Sequence, residues 1–533
     1  MANSPSPKRL HSDEISYGFA KTGTELKVVL SEKEEKICDL LENVSDYIAR
    51  ERPDLPRIES RIAGGWVRDK LLRKDCHDLD VAVNDMMGYE FAQYINRYLE
   101  ANGCSTRSVA KIDSNPEKSK HLETATTKLF DLEIDFCNLR TEVYSEDSRI
   151  PSEITFGTPT EDAYRRDITI NSLFYNVHTR SVEDFTEQGI TDLKEGYIRT
   201  PLAPFETFRD DPLRVVRCIR FASRFNFEMV PELRYAAKNT VIREALKSKI
   251  SRERIGTELD KMLKGPSPLM AIRLIHELDL YPVMFNPPAG MNGSPAPSLS
   301  AVQAAGIIRW YSCNALLQSS PLRLGSQDEL RILYLSAILL PYLRLETEQK
   351  KRTVPAVQVV LRDSIKPLNI KATNADINTI STFFRGIPKL REAAEKNAQS
   401  TISRSDLGMI IRDLGILWRS VTTLAMVNEL LETRNDINWC EPDLLEVDEA
   451  SDISRKYDAL VKQAIEYQID ECYKWKYIVD GKRATQLLGI KPGPVVTQLL
   501  RQIMIWQLEN PNGTEKECED VIKAYWQQNS NTA

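Results

Sequence analysis

The sequence predicts an α+β protein in which a mixed-sheet head is followed by an all-α neck, body and tail. Short β-prone runs alternate with helical runs between residues 58 and 200, which is typical of a mixed α/β domain. After residue 205 the strand signal fades, and apolar residues recur at helical spacing up to the C-terminus. The 533 residues, 42% hydrophobic and 28% charged, are enough for several separately packed domains.

Polar stretches divide the chain into predicted regions. Residues 1–30 mix Ser, Pro, Lys and Asp without periodicity and predict a flexible arm, whereas the apolar spacing from Glu34 to Arg50 predicts an amphipathic helix. Residues 286–300 and 435–452 are rich in loop-forming or acidic residues and interrupt the helices. We predict a head at 31–200, a neck at 201–270, a body at 271–435 and a tail at 436–533.

Composition excludes several classes of protein. The nine cysteines are dispersed, odd in number and without a Cys-x-x-Cys pair, so neither a zinc site nor a disulfide framework is predicted. The most apolar stretch, residues 330–345, contains Arg331, Pro341 and Arg344 and is shorter than the roughly 20 residues that span a bilayer. A net charge of −6 argues against indiscriminate coating of nucleic acid but allows one local basic groove.

The N-terminus lacks the apolar core of a secretory signal and acquires acids by Asp13. Together with the absence of a disulfide pattern, this predicts a protein of the cytosol or nucleus. An alternative start upstream would allow a mitochondrial form. The polar loop at residues 105–128 is either a mobile flap over a site or a tolerated insertion, and the sequence leaves both open.

The sharpest chemical signal is RIAGGWVRD at residues 61–69, followed by DLDVAV at residues 78–83. A strand that runs into Gly64-Gly65, with a helix directly after it, places unhindered backbone N–H groups at a helix N-terminus, where phosphates can bind. Gly65 is thus a candidate phosphate-binding residue, and Arg68 would add a charged fork to the phosphates.

Alternate residues of a strand point the same way, so Asp78 and Asp80 project from one face and Leu79 from the other. Two such carboxylates can hold Mg²⁺ and leave positions for phosphate oxygens. A two-metal arrangement would activate an RNA 3′-hydroxyl and stabilise the departing pyrophosphate. Asp135 is the candidate third catalytic carboxylate, and a plain surface acid is the alternative. A Gly-Gly turn or an Asp-x-Asp pair alone is common, whereas their combination predicts a nucleotidyl-transfer site.

GGWVRD with HDLDVAV resembles the signature of the polymerase-β-like nucleotidyltransferase superfamily, in the form carried by class II tRNA nucleotidyltransferases (CCA-adding enzymes) and bacterial poly(A) polymerases. The resemblance covers residues 58–265 strongly and 475–525 moderately, and it points to the eukaryotic type. It implies a polymerase-β-like head, Mg²⁺ as cofactor held by Asp78 and Asp80, and tRNA, CTP and ATP as partners. It indicates no obligate protein partner and no membrane.

Further motifs follow in the order that the family shows. Residues 161–171 (EDAYRRDITIN) resemble its RRDxxxN motif, which implies that Arg166, Asp167 and Asn171 recognise the ribose and phosphates. An exposed, salt-bridged turn is the alternative. Residues 251–258 (SRERIGTE) resemble the last family motif, and we interpret them as a Ser-capped helix that braces the nucleotide site.

Arginines recur every three or four residues between 214 and 224, so they share one helix face. The segment resembles the family's base-selecting motif, which implies that Asp211 and Arg214 read the incoming base and that Arg217 and Arg220 lie around the nucleotide. Cytosine and adenine both present an amino donor beside a ring-nitrogen acceptor, so one carboxylate and one guanidinium can accept both. A helix salt-bridged to neighbouring acids is the alternative.

The tail adds a tight turn, Gly489 to Pro494, which could present Lys491 to an RNA phosphate or serve as a plain packing turn. The leading hypothesis is a CCA-adding tRNA nucleotidyltransferase. A poly(A) polymerase shares the same motifs, although the strongly basic tail common in bacterial examples is missing here. An inactive RNA-binding protein, or a metal phosphohydrolase built on His77-Asp78, completes the alternatives.

Overall fold

The computed structural model describes residues 26–76, 78–112, 124–144, 151–313, 320–322, 326–349, 351–366, 370–445 and 450–529. The predicted arm therefore lies mostly outside the described residues, as do His77 and the centre of the 105–128 loop. The chain divides into two compact units, of which the first ends at Met284 and the second begins at Phe285. The four region boundaries drawn from the sequence stay predictions.

A seven-stranded mixed sheet forms the centre of the first unit, with strand order β3-β4-β5-β2-β1-β8-β9. Strands β2 and β5 run parallel, and the other neighbours run antiparallel. The predicted mixed-sheet head is thus confirmed. The strands of this unit are β1 Ser60–Ala63, β2 Leu79–Val83, β3 Val109–Ile112, β4 Thr124–Leu129, β5 Leu132–Asn138, β6 Arg140–Tyr144, β7 Pro151–Phe156, β8 Phe174–Asn176, β9 Ser181–Glu183, β10 Tyr197–Ile198 and β11 Glu228–Met229.

Helices flank this sheet and then dominate the chain. The predicted helix from Glu34 to Arg50 is confirmed, and it starts with a capping box between Ser31 and Glu34. The helices of the first unit are α1 Glu32–Glu51, α2 Gly65–Leu71, α3 Gly88–Ala101, α4 Pro159–Tyr164, α5 Gly189–Glu195, α6 Pro204–Asp210, α7 Leu213–Phe225, α8 Pro231–Ala237, α9 Thr240–Lys249, α10 Arg252–Leu263, α11 Pro268–Glu277 and α12 Tyr281–Met284.

Helix α3 covers one face of the sheet and thereby decides which face stays open. Its Phe91 ring lies 5.5 Å from the ring of Phe136 on β5. A Cβ atom at Gly88 would lie 2.2 Å from the Phe136 carbonyl oxygen, so only glycine lets the start of α3 approach β5 this closely. Leu79 and Val81 are buried toward this side, and the carboxylate-bearing face of β2 and β5 is the opposite one.

The second unit is mostly helical, as predicted. Among the described residues, the all-α prediction after residue 200 is wrong at strand β11 of the neck, at an isolated bridge between Met291 and Thr347, and at a hairpin of the second unit. Sequence periodicity did not predict the hairpin, since ETEQ and RTVP lack an alternating apolar pattern. No described helix combines the length and the apolarity needed to cross a membrane. Its elements are α13 Leu299–Cys313, α14 Gln327–Leu339, β12 Glu346–Gln349, β13 Arg352–Pro355, α15 Ala356–Ser364, α16 Ile370–Gln399, α17 Arg404–Leu414, α18 Trp418–Thr433, α19 Ser451–Glu466, α20 Gly481–Leu488, α21 Pro494–Glu509 and α22 Glu515–Asn529.

Candidate functional site

The Gly-Gly turn joins β1 to α2 as predicted. Gly64 adopts a φ of 69°, in the left-handed region that favours glycine, and its N–H donates to the Leu173 carbonyl at 2.9 Å. A Cβ atom here would lie 2.7 Å from an Arg166 guanidinium nitrogen and 3.3 Å from the Asn171 carbonyl oxygen. The turn therefore packs directly against the RRDxxxN segment, and only glycine fits between them.

Two of the predicted carboxylates lie side by side on the open face of the sheet. In the parallel pair of β2 and β5, Asp80 is the register partner of Asp135. Register partners on neighbouring strands project from the same face, about 4.8 Å apart along the hydrogen-bonding direction. Asp78 stands just before β2 and, like Asp80, is exposed to solvent. Strand pairing alone therefore places Asp135, the third predicted acid, next to Asp80 of the predicted pair.

The charges of these acids repel one another. The pKa of Asp80 is raised above its ordinary value of 3.8, first by desolvation, then by the Asp135 carboxylate and, more weakly, by Asp78, while Arg166 opposes the shift. Among the described residues, neither Asp78 nor Asp80 has an ion-pair partner within 4 Å. The Asp135 carboxylate accepts a hydrogen bond from the Thr126 hydroxyl at 2.5 Å.

Oxygen donors that share unrelieved negative charge are the ligands that Mg²⁺ prefers, so the residues present fit this ion. Within the described part of the chain, no three His, Cys, Asp or Glu side chains converge closely enough to enclose a metal by themselves. An ion bound by Asp78 and Asp80 would therefore take further oxygen ligands, such as water or phosphate oxygens.

Helix α4 contains an acid that sequence reasoning missed. Asp162 is buried and accepts hydrogen bonds from Arg165 and, at 3.0 and 2.8 Å, from Arg166. Burial alone would raise the pKa of Asp162, but the two guanidinium groups outweigh it and lower the pKa to about 2. The alternative prediction for this segment is an exposed, salt-bridged turn. The turn is salt-bridged, but its arginines are half-buried rather than exposed.

Asp167 and Asn171, which follow this turn in the sequence, are hydrogen-bonded to each other. One Asp167 oxygen accepts from the Asn171 amide at 3.0 Å, and the other accepts from the Arg217 Nε at 2.8 Å. Burial opposes ionisation, yet Arg217 and Asn171 together hold the pKa of Asp167 well below its usual range. The Asp167 carboxylate is therefore a fixed anion that links this segment to α7.

Arg68 does not reach toward solvent. Its guanidinium is buried, donates to the Asn171 side-chain oxygen and to Asp69 at 2.8 Å, and lies 4.8 Å from the centre of the Phe225 ring. Through these contacts Arg68 stabilises the packing of the Gly-Gly turn and α2 against the RRDxxxN segment. Its predicted role as a fork on the phosphates stays a prediction.

The arginine row of α7 is largely paired with acids, which is the alternative that the sequence left open. Arg217 contacts Asp167 at 2.6 Å, Arg220 contacts Glu258, and Arg224 contacts Asp69 at 3.3 Å. Arg214 differs, because it donates to the Arg165 carbonyl at 2.6 Å and has no ion-pair partner within 4 Å among the described residues.

Asp211 and Arg214 meet through the backbone, where the Arg214 N–H donates to the Asp211 carbonyl at 3.0 Å. The Asp211 carboxylate instead accepts from the Leu213 N–H at 3.1 Å and from Arg254 at 3.0 Å. Arg254 and Glu258 of α10 therefore brace this region, as expected of their motif. Ser251 occupies the N-cap position as predicted, but its side chain accepts no capping hydrogen bond.

The predicted turn of the tail is present in the second unit. Gly489 ends α20 with a φ of 66°, and residues 491–494 are exposed before α21 begins. Lys491 is therefore accessible, and both predictions for this turn stay open.

Comparison with known proteins adds family evidence to this geometry. The Poly A polymerase head domain model matches residues 60–199, and a model described as the probable RNA and SrmB-binding site of polymerase A matches residues 226–289. A mitochondrial CCA tRNA nucleotidyltransferase of Saccharomyces cerevisiae is 38% identical over 525 residues, which covers 93% of this chain and 94% of that protein. A tRNA nucleotidyltransferase of Schizosaccharomyces pombe is 37% identical, with 92% and 95% covered.

Solved structures agree in fold along almost the whole chain. A CCA-adding enzyme in an apo form gives a TM-score of 0.60 at 21% identity, covering 92% of this chain and 96% of that one. The CCA-adding enzyme of Bacillus stearothermophilus in complex with CTP gives 0.58 at 18% identity, covering 95% and 100%. At these identities the likeness establishes the fold of both units.

Proposed function

The chain belongs to the family of CCA tRNA nucleotidyltransferases, and from this premise we propose that it adds CCA to the 3′ ends of tRNA. It would use CTP and ATP without a nucleic-acid template and release pyrophosphate. The observation that carries the proposal is the register pairing of Asp80 with Asp135, on the open face of a sheet whose next strand ends at the Gly64 turn. This places paired acids close to a backbone turn suited to phosphates.

We propose that Asp78 and Asp80 hold Mg²⁺ and that Asp135 completes the catalytic carboxylates. The ion, when bound, would favour ionisation of the RNA 3′-hydroxyl and neutralise charge on the departing pyrophosphate. The raised pKa of Asp80 supports this assignment, because a bound cation would offset both of its main causes, desolvation first and then repulsion from Asp135. Gly65 would offer its N–H to the triphosphate, and Arg166, which lies against Gly64, would add positive charge.

The remaining site residues would hold the nucleotide in a fixed frame. Asp167 and Asn171, which are hydrogen-bonded to each other, would meet the ribose, and Arg217 would keep the Asp167 carboxylate ionised and oriented. Arg68 and Arg220 would contribute through the shape of this frame, since both are buried and already bonded.

Base selection is proposed for Asp211 and Arg214. The Asp211 carboxylate is oriented by Arg254, and the Arg214 guanidinium has a carbonyl as its partner instead of an acid. A carboxylate accepts the amino group that cytosine and adenine share, and a guanidinium donates to the neighbouring ring nitrogen. Uracil and guanine present the reverse pattern on that edge and would be rejected.

The test is extension of a tRNA transcript that ends before CCA, supplied with CTP alone, ATP alone, or both. We expect two residues from CTP alone and the complete CCA only from both nucleotides. Chelation of divalent ions should stop the reaction, and added Mg²⁺ should restore it. Asp78→Ala should abolish addition while tRNA binding is retained, whereas Glu90→Ala, at an exposed acid of α3, serves as the control.

Other outcomes would assign the chain differently. A poly(A) polymerase would ignore CTP and extend the RNA with repeated AMP. An inactive RNA-binding protein would bind the transcript without extending it under any condition. Addition of CMP that requires Asp78 excludes both.

We also propose a mitochondrial form beside a cytoplasmic and nuclear one. The support is that relatives of similar length are named as mitochondrial enzymes. Fluorescent fusions made from the full transcript, with each candidate start codon altered in turn, would show which compartments receive the protein.

A further inference from the structure

Strand pairing places a hydroxyl group beside the candidate catalytic acids. Thr126 on β4 is the antiparallel register partner of Asp135, and Asp135 is the parallel register partner of Asp80. The three side chains therefore form one row across β4, β5 and β2 on the open face of the sheet. Thr126 and Asp80 lie on opposite sides of Asp135.

The Thr126 hydroxyl donates to one oxygen of the Asp135 carboxylate at 2.5 Å. Within the described part of the chain, it is the one hydrogen-bond partner of that carboxylate. Because the Thr126 bond occupies the side of Asp135 away from Asp80, the second carboxylate oxygen can face Asp80. A β-branched side chain on a strand has few χ1 rotamers, so the hydroxyl is held in place before any ligand binds.

Without this bond, no other hydrogen bond among the described residues would keep Asp135 turned toward its neighbour. Asp80 carries the same charge, and the repulsion between the two carboxylates favours rotation of Asp135 away from it. A hydrogen bond from Thr126 opposes that rotation. Groups that orient metal-binding carboxylates in this way control both affinity and rate.

We propose that Thr126 is a positioning residue, which holds Asp135 in the orientation needed beside Asp80 for nucleotide transfer. The inference rests on the proposed function, because it assigns Thr126 a task in that same site. Thr126 itself touches neither the substrate nor the reacting atoms.

The test compares Thr126→Val, Thr126→Ser and Thr127→Val. Valine keeps the shape and strand preference of threonine but removes the hydroxyl. We expect Thr126→Val to lower kcat for CMP addition about tenfold, with an unchanged KM for CTP. Thr126→Ser should restore most of the rate. Thr127 lies on the opposite face and donates to the Ser108 carbonyl at 2.9 Å, so Thr127→Val controls for general damage to β4.

A second measurement does not depend on turnover. Mn²⁺ titration followed by electron paramagnetic resonance, with a non-hydrolysable CTP analogue present, should show about tenfold weaker binding for Thr126→Val and unchanged binding for Thr127→Val. The same samples, melted in a thermal scan, would reveal a loss of folding.

Three results would overturn the inference. Thr126→Val could match the wild type in rate and Mn²⁺ binding while Asp135→Ala is inactive. Thr126→Ser could be as impaired as Thr126→Val, which would assign the effect to packing. Thr127→Val could lower kcat equally. If the wild-type protein itself adds no nucleotide, the proposed function fails instead, and Mn²⁺ binding alone then decides whether Thr126 orients Asp135.

Discussion

The two charged surfaces of the first unit are built in opposite ways. On the sheet, Asp80 and Asp135 are register partners without an ion pair within 4 Å among the described residues, and the pKa of Asp80 is raised first by desolvation and then by the Asp135 carboxylate. On α7, arginines are paired with acids, and the Arg220 and Glu258 pair is buried. Charge is unrelieved on the strands and almost fully compensated on the helix.

The difference indicates where a ligand is needed. Like charges held together reduce stability unless a bound ion compensates them, so folding alone gives no reason to place acids there. The ion pairs between α7 and its neighbours, in contrast, are explained by the packing of the fold alone. Arg214 is the exception on the helix, because it is buried with a carbonyl group as its partner and has no ion pair within 4 Å among the described residues.

The largest effect is expected at the sheet. Asp80→Asn removes a ligand and also removes the repulsion with Asp135, so kcat/KM should fall about a thousandfold while the melting temperature stays the same or rises. Single-nucleotide addition kinetics and thermal melting would be measured on the same preparation. A variant that loses stability as well as activity would show that the Asp80 carboxylate supports the fold, and the contrast with α7 would then be wrong.

A smaller effect on stability is expected at the helix. Arg220→Met removes the nearer cation from the buried Glu258 and leaves it only the 3.8 Å ion pair with Arg217, which should lower the free energy of unfolding by about 3 kcal/mol. Arg224→Met is the matched control, because the Arg224 side chain is 43% exposed and its loss should matter by less than about 1 kcal/mol. Urea denaturation followed by circular dichroism gives both values. Equal losses would contradict the distinction between the buried and the exposed end of the row.

The smallest effect is expected at Arg214, the exception on α7. Arg214→Met removes the hydrogen bond to the Arg165 carbonyl, which should lower the unfolding free energy by about 1 kcal/mol, and it should reduce the preference for CMP over UMP by about tenfold, since a lost contact to a base edge is worth about this much. Competition between labelled CTP and UTP on one tRNA transcript measures the ratio. If selectivity survives, Arg214 is one more structural arginine, and base selection lies elsewhere.

Local patterns predicted those parts of the site that are set by neighbours in sequence. The alternation around Leu79 indicated which way Asp80 points, and the spacing of the arginines indicated one face of α7. The turn at Gly64 followed from its position between a strand and a helix. These features need only the period of a strand or a helix.

Pairings between distant segments were not predictable in the same way. Arg217 and Asp167 are 50 residues apart, and Arg220 and Glu258 are 38 apart. The contact of Thr126 with Asp135 depends on the register of two strands, which a hydrophobic pattern specifies only to within whole steps of two residues. A threonine in a β-prone run does not indicate which side chain of the neighbouring strand it will contact. Asp162 adjoins a quoted motif, and two following arginines were the available sign of its role.

Helix α7 connects three separate stretches of the chain that the proposed reaction would use. Its side chains are fastened to Asp69 beside the glycine turn, to Asp167 below that turn, and to Glu258 on α10. A tilt of α7 would have to carry these acids along or break the ion pairs. The proposed contacts to the triphosphate and to the base would therefore be mechanically linked, so a nucleotide that binds poorly at one end would also bind poorly at the other.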